Sequence, residues 1–580
     1  MIKKLAKSIR EYKKETILTP ILMVGEVSCE CVIPLITAKL INIINAGSNI
    51  KHIVIYGIIL IAVAFASLFF GAMSGKFCAT AAAGFAKNLR QDLFYSIQNF
   101  SFGNIDKFST SSLVTRLTTD VSNVQNAFMM IIRTAVRAPL MLIFATVMSI
   151  VVGKKLAWIF AGLIPVIGFA FYLVTRLATP RFKAVFKKYD KLNASVQENI
   201  KGMRVVKSFV REDYEEKKFG AASEELKHDF LVVERIIATN SPTMQVGMYA
   251  SMLLISFFCA KIVISTAGVE LGVGTLSSMI TYSMQVLMSL MMVTMILVMV
   301  TMAIASAKRI EEVLDEVSDI TDPENPVTEV KNGDIDFDNV SFKYSAKAEQ
   351  NALSNINLHI KSGQTVGIIG GTGSGKTSLI QLISRLYDVT EGSVKVGGVD
   401  VRNYAVEPLR DAVSVVLQKN VLFSGTIKEN LRWGNPDATD EELVRVCKQA
   451  QADEFVSSFP DKYDTYIEQG GANVSGGQKQ RLCIARALLK KPKVIILDDS
   501  TSAVDTHTDA MIRKAFKEEI PGTTKIIIAQ RISSVQDADM IIIMNNGTID
   551  QIGTHDELIK TSPIYQEVYY SQNKGGDDDE

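Results

Sequence analysis

The sequence carries almost no surplus of either charge: 62 basic residues stand against 61 acidic ones, a net of +1. No overall field therefore marks the chain as a nucleic-acid binder. Cysteine is sparse as well. Cys29, Cys31, Cys78, Cys259, Cys447 and Cys483 are scattered, without a repeated C-x-x-C spacing or histidine partners. That argues against a zinc site or a disulfide framework and predicts free thiols. Cys29 and Cys31 are two apart, and residues so spaced on a helix do not face each other. The first residues lack the charged, short-apolar, small-residue pattern of a cleaved leader, so the first hydrophobic helix is expected to stay in the mature chain.

What is present is unevenly distributed. The chain has 580 residues, more than one ordinary domain of roughly 100 to 200. Up to residue 307 long charge-free runs alternate with basic stretches, whereas from Lys308 onward charge is evenly mixed, as in a soluble domain. The chain changes solvent near residue 310. This predicts a membrane domain over 1–310, a linker over 311–333, a soluble domain over 334–572 and an acidic, disordered tail over 573–580.

A bilayer core of about 30 Å needs roughly 20 predominantly apolar helical residues. Six stretches qualify, centred on 16–44, 53–75, 129–152, 156–175, 236–265 and 275–307. The last is charge-free and longer than a bilayer requires, so its end is expected to project toward the soluble domain. The bias of Lys and Arg toward the cytosol places the basic, amphipathic start (2–14) along the cytosolic interface and the loops 46–52 and 266–274 outside. Lys154 and Lys155 break that rule without overturning it. The polar segments 78–125 and 176–235 are helical in period and too long for connectors, so they read as helices continuing below the membrane. Turns are expected near 102–108 and near 212–217.

Two sets of side chains inside the spans leave alternatives open. Glu26 and Glu30 share one helical face, as do Arg133 and Arg137; they form either structural salt bridges or a polar lining of a transport cavity. Met284, Met288, Met291, Met295, Met299 and Met302 form one stripe on the sixth span. Flexible thioethers suit a surface that repacks around varied apolar ligands, and helix packing explains them equally well.

In the soluble half, the apolar strand Thr365-Val-Gly-Ile-Ile-Gly370 runs into Gly370-Gly-Thr-Gly-Ser-Gly-Lys-Thr377, followed by a helix. This is a P-loop in its required strand, loop and helix context. Gly370, Gly371, Thr372, Gly373, Ser374 and Gly375 would close backbone N–H groups around phosphates, and the helix N-terminus at Ser378 favours negative charge. Lys376 would reach the β- and γ-phosphates and Thr377 would ligate Mg²⁺. A second apolar strand, Val494-Ile-Ile-Leu-Asp-Asp499, ends in acids, of which Asp498 is the expected Mg²⁺-side carboxylate.

Between these strands, Val474-Ser-Gly-Gly-Gln-Lys-Gln-Arg481 resembles the signature of ABC ATPases. Other motifs fall in that family's order. Tyr344 resembles the aromatic that stacks on adenine, Gln418 the glutamine that links the γ-phosphate and its metal to the membrane domain, and Ser502-Ala-Val-Asp505 the loop crossing the dimer interface. The segments 108–120 and 198–209 look like the two intracellular-loop sequences of ABC exporters, the second of which contacts the partner's nucleotide domain in that family. With the six spans, the resemblance covers essentially the whole chain: it looks like a bacterial ABC exporter half-transporter. The implied architecture is an all-α membrane domain of six long helices fused to an α/β P-loop ATPase domain. The implied ligands are ATP and Mg²⁺, with Ser475, Gly476, Gly477, Gln478 and Asp505 completing the site of a partner subunit.

Three positions depart from the family. The glutamate expected after Asp498 is Asp499, one methylene shorter, which withdraws the group that orients or deprotonates the attacking water. The switch histidine after the strand 525–529 is Gln530, which donates a hydrogen bond but cannot carry a proton. The segment Glu468-Gln-Gly-Gly471 replaces the usual Gly-Glu-Arg-Gly. The resemblance thus implies slow hydrolysis at the site of Lys376, Asp499 and Gln530 and an unlike partner bearing the missing Glu and His. The expected function is ATP-driven export of amphipathic or apolar small molecules across the cytoplasmic membrane, the ATPase domain in the cytosol. A homodimeric lipid or peptide exporter and a regulatory ATP-binding subunit are the alternatives.

Overall fold

The computed structural model describes residues 1–47, 49–266, 271–345, 348–499 and 504–573. The acidic end of the tail, Ser502 with Ala503, and the side chain of Met302 lie outside the described residues. Contacts divide the chain into two compact units: Met1–Asn99 with Ser109–Glu316, and Phe100–Phe108 with the chain from Val317 onward.

The first unit is helical throughout. Its long helices are Lys13–Asn45, Ile50–Gln98, Ala135–Gly153, Ala157–Lys201, Glu212–Ala238, Asn240–Ser265 and Val273–Asp315. Among the described residues, five continuous helical runs are long and apolar enough to cross a membrane. The run Thr110–Phe182 holds two of the six predicted stretches, divided at Lys154, whose φ of +33° breaks the helix. At 1.5 Å per residue the 49-residue helix Ile50–Gln98 is about 70 Å long, more than twice a bilayer core of about 30 Å. Its polar end therefore continues beyond any membrane, as predicted.

One predicted turn is displaced. Residues 212–217 are helical, and the chain instead reverses over 202–211, where Gly202 caps one helix, Met203–Ser208 forms a short one and Val210 has a φ of +49°. The charges that suggested a turn, Glu212, Asp213 and Glu215, are the acidic first turn of the next helix, where they complement the helix dipole.

The polar side chains inside the spans resolve into a definite cluster. Arg137 donates to Glu26 at 2.9 Å and to both carboxylate oxygens of Glu30 at 2.8 and 2.9 Å. Among the described residues Arg133 makes no ion pair, so the salt-bridge reading holds for three of the four. Close approach of the first and last long helices depends on glycine: a Cβ at Gly274 would lie 2.0 Å from the Ala38 carbonyl oxygen. At its other end the last helix is clasped by Arg116, which pairs with Glu312 at 2.8 Å, and by buried Asp120, which accepts from Arg309 Nε at 2.8 Å. The amphipathic start packs on the same region, with Lys4 Nζ donating to the Leu314 carbonyl at 3.2 Å and Ser8 Oγ to Asp92 at 2.7 Å. Met284, Met288, Met291, Met295 and Met299 are all exposed, which leaves both readings of the stripe standing.

The second unit is an α/β domain. In chain order its strands are β1 Ile335–Phe342, β2 Leu353–Ile360, β3 Thr365–Gly370, β4 Glu391–Val396, β5 Val399–Asp400, β6 Val413–Val416, β7 Gly425–Thr426, β8 Tyr466–Ile467, β9 Val494–Asp498, β10 Thr524–Ile528, β11 Met540–Asn545 and β12 Thr548–Gly553. A four-stranded antiparallel sheet has the order β2-β1-β4-β5, and the main sheet runs β12-β11-β3-β10-β9-β6 with all but β12 parallel. Strands β9 and β10 are buried along their whole length, which is why residues 494–497 and 526–528 read as unbroken apolar runs rather than alternating ones. In the register, Ile528 lies opposite both Ile368 and Asp498, and Val416 opposite Leu497. The carboxyl ends of β3, β10, β9 and β6 therefore open side by side, the place where parallel α/β sheets bind ligands.

Candidate functional site

At that edge β3 feeds the loop 370–375 and the helix Lys376–Ile383. Gly373 and Gly375 have φ of +80° and +97°, a backbone that only glycine adopts without strain. The loop is held by the Ser374 N–H to the Gly371 carbonyl at 3.2 Å and by the Gly547 N–H to the Ser374 carbonyl at 3.1 Å. Gly371, Thr372 and Gly373 form its exposed crest. Lys376 Nζ donates to the carbonyls of Gly370 and Gly371 at 2.9 and 2.8 Å. Thr377 Oγ1 donates to Asp498 at 3.1 Å. Of the predicted phosphate and metal residues, the loop 370–375, Lys376, Thr377 and Asp498 thus lie together at this edge.

Their protonation follows from burial. Burial pushes the Lys376 ammonium below its ordinary range, opposed by the carboxylates of Asp498 and Asp499. It pushes the Asp498 carboxyl up, a shift opposed by the Thr377 hydrogen bond and by Lys376 and reinforced by Asp499. These residues fit Mg²⁺ and ATP. Ser374 Oγ is buried without a hydrogen-bond partner inside the loop, and the Thr377 hydroxyl and Asp498 carboxylate are hard oxygen donors. Among the described residues no group of three or more His, Cys, Asp or Glu gathers to hold a metal, so Mg²⁺ here would depend on phosphate oxygens as well. Because a proton on Asp498 competes with the metal and burial raises its affinity for that proton, Mg²⁺-dependent nucleotide binding should weaken as pH falls, beginning at a higher pH than for an ordinary aspartate. Titration with a fluorescent nucleotide measures this, and Asp498→Asn should flatten the dependence.

Tyr344 is half-exposed beside the P-loop helix. Its hydroxyl lies 2.8 Å from Ser378 Oγ and donates to Gln381 at 3.0 Å, and its ring meets Tyr387 edge-on with centroids 5.2 Å apart. Tyr387 carried no signal in the sequence. Its hydroxyl donates to Asp106 in the short helix Phe102–Lys107, and its ring meets Phe102 edge-on at 6.0 Å. The order of contacts is thus Asp106, Tyr387, Tyr344, Ser378, joining residues more than 230 positions apart in the chain to the P-loop helix. Only folding brings them together.

Asp499 follows Asp498 with a φ of +48°, is buried, and accepts through Oδ2 from Gln530 Nε2 at 2.8 Å. Gln418 sits exposed in the bend just after β6, at the same edge, without a hydrogen bond to Thr377 or Asp498 among the described residues. Ser475 and Gln478 form a capping box at the N-terminus of the helix Gly476–Leu488, with Ser475 and Gly476 exposed and Gly477 partly so. No hydrogen bond joins these four residues to the P-loop group among the described residues. The same helix does reach the site further along, where Gln480 Nε2 donates to the Asp499 carbonyl at 3.4 Å. Asp505 caps the helix Thr506–Glu519, accepting from the Thr508 N–H and hydroxyl at 2.9 and 2.7 Å, bonds that hold its carboxyl below the usual range.

Residues 16–307 match the family described as ABC transporter transmembrane region, and residues 353–502 the family described as ABC transporter. Over 552 residues the chain is 34% identical to the "Uncharacterized ABC transporter ATP-binding protein YfiB" of Bacillus subtilis (strain 168), covering 95% of each. It is 31% identical over 590 residues to the "Putative multidrug export ATP-binding/permease protein YgaD" of the same organism, covering 99% of each. A solved structure of a bacterial Atm1-family ABC exporter with ATP bound superposes with a TM-score of 0.80 at 22% identity, over 96% of this chain and 98% of that one, a likeness of fold.

Proposed function

The chain belongs to the ABC transporters, in the exporter arrangement that fuses a transmembrane region to an ATP-binding region, and from that premise we propose that it is the degenerate-site half of a heterodimeric exporter of amphipathic or apolar small molecules. The observation that carries the proposal is the pair Asp499 and Gln530, which stands beside an otherwise complete Lys376, Thr377 and Asp498 group. The site has what it needs to bind a nucleotide and lacks a carboxylate of full reach to prepare water.

Signature residues Ser475, Gly476, Gly477 and Gln478 stand apart from this chain's own P-loop, as expected if they and Asp505 complete the ATP site of a second subunit. That subunit would carry the ordinary glutamate and histidine. When bound, Mg²⁺ would supply charge neutralisation at the phosphates, held on this side by Thr377, Asp498 and Gln418. ATP binding favours the closed dimer because each nucleotide then contacts both chains, and a cavity that alternates between two faces follows from that difference in affinity. In the first unit, the reversal at 202–211 presents Val205, Phe209 and Val210, which are 59%, 72% and 80% exposed. An apolar tip of that kind suits a contact with the partner's ATPase domain. The words "multidrug export" in the name of the YgaD relative support a drug-like cargo, and the exposed methionine stripe is compatible with an apolar one. The bilayer is the cytoplasmic membrane, with the ATPase unit in the cytosol.

The test compares ATP turnover of the purified full-length chain with that of the chain co-expressed with an exporter half bearing Glu and His. The pair should turn over at least about tenfold faster than the chain alone. Brisk turnover by the chain alone, abolished by Asp499→Ala, would mean a self-sufficient homodimer.

A further inference from the structure

The two departures from the family touch each other, and the main chain at each end of their contact is held by hydrogen bonds. Asp499 has a left-handed φ of +48°; its N–H donates to the Ile528 carbonyl at 3.1 Å and its carbonyl accepts from Gln480. Gln530 is held from the C-terminal helix: Gln572 Nε2 donates to the Gln530 carbonyl at 2.8 Å and Gln572 Oε1 accepts from the Ile532 N–H at 2.9 Å. Because β9 and β10 are hydrogen-bonded in parallel with Asp498 beside Ile528, the sheet sets the distance between the two backbones. Only side-chain length is left to close the gap. A short acid and a long amide close it at 2.8 Å. One added methylene on the acid lengthens that side by about 1.5 Å and overfills the space.

Resting on the degenerate-site reading above, we propose that Gln530 is a positioning residue that holds the Asp499 carboxylate against the end of β10, so that the two substitutions act as one latch against hydrolysis. Oδ2 accepts from the Gln530 amide at 2.8 Å and is thus engaged by the side chain that follows β10. The amide itself cannot take up a proton, so within the pair only the engaged Asp499 carboxylate could accept one released by water. The substitutions are therefore coupled. Restoring either family residue alone puts a long acid against a long amide, or a short acid against an imidazole, and neither pair matches the spacing set by the strands.

A double-mutant cycle on the purified full-length chain tests this, with ATP turnover measured for wild type, Asp499→Glu, Gln530→His and the double variant. Fluorescent-nucleotide binding on each confirms a folded site. Whatever each single substitution does to turnover, the double should exceed the product of the two singles by about tenfold. The double should also gain a pH profile centred near the imidazole range, about pH 6.5, that a merely structural contact would not produce. Singles whose effects simply multiply would overturn the latch. Should the histidine variants fail to bind nucleotide, Gln530→Ala, Asp499→Asn and their combination form the same cycle on nucleotide retention, and additive effects there overturn it equally. Brisk wild-type turnover would remove the degenerate-site reading itself, whereas slow wild type with independent singles removes only the latch.

Discussion

Replacing Arg137 with alanine should destabilise the helical unit by about 3 kcal/mol, seen as a fall in the melting temperature of the purified protein in fixed detergent or lipid. One guanidinium serves two carboxylates here, reaching Glu26 at 2.9 Å and Glu30 at 2.8 Å. The Glu26 side chain is 8% exposed, so it has almost no water with which to replace a lost partner. Removing Arg137 would leave two like charges on one helical face with nothing between them. The figure stays at the lower end of the range for buried pairs because Arg137 and Glu30 are each about a quarter exposed. The cost comes from the orphaned acids rather than from the loss of a strong bond. Adding Glu26→Gln and Glu30→Gln to Arg137→Ala should therefore recover most of the stability, and an unchanged melting temperature in Arg137→Ala alone would contradict the account.

Lys376→Ala should weaken ATP binding by about a hundredfold, measured by fluorescent-nucleotide titration, and with it the turnover of any assembly that requires this site to be filled. The ammonium is already gathered under the loop by the carbonyls of Gly370 and Gly371. It is therefore poised to meet phosphate at little ordering cost. Charge-assisted contacts to phosphate contribute about 1.5 to 3 kcal/mol each, and two of them account for the expected loss. Arginine at this position should not rescue it, because a planar fork is a poor substitute for a compact ammonium under a tight loop. A change smaller than about threefold would place the nucleotide elsewhere.

Much of the site was legible in the sequence because its parts are local. A P-loop needs glycines, lysine and threonine at set intervals between a strand and a helix, and the strand and helix found here are Thr365–Gly370 and Lys376–Ile383. The β9 strand with its two acids was legible for the same reason. The turn expected near residue 212 was not, because charges in a first helical turn look like charges in a loop until the cap at Gly202 and the left-handed Val210 are seen. Tyr387 and Gln572 were invisible: each acts across a gap of many residues, and nothing in the neighbouring sequence announces it.

Composition and spacing alone dictate that this polypeptide has a membrane part and a P-loop ATPase part, since apolar run length and glycine geometry are properties of short segments. Which of four intramembrane charges pair, where the polar ends of the long helices turn, and whether Asp499 and Gln530 meet are decided only on folding. Those outcomes depend on distances between strands and between helices, and such distances are set by packing and sheet register rather than by any neighbourhood along the chain.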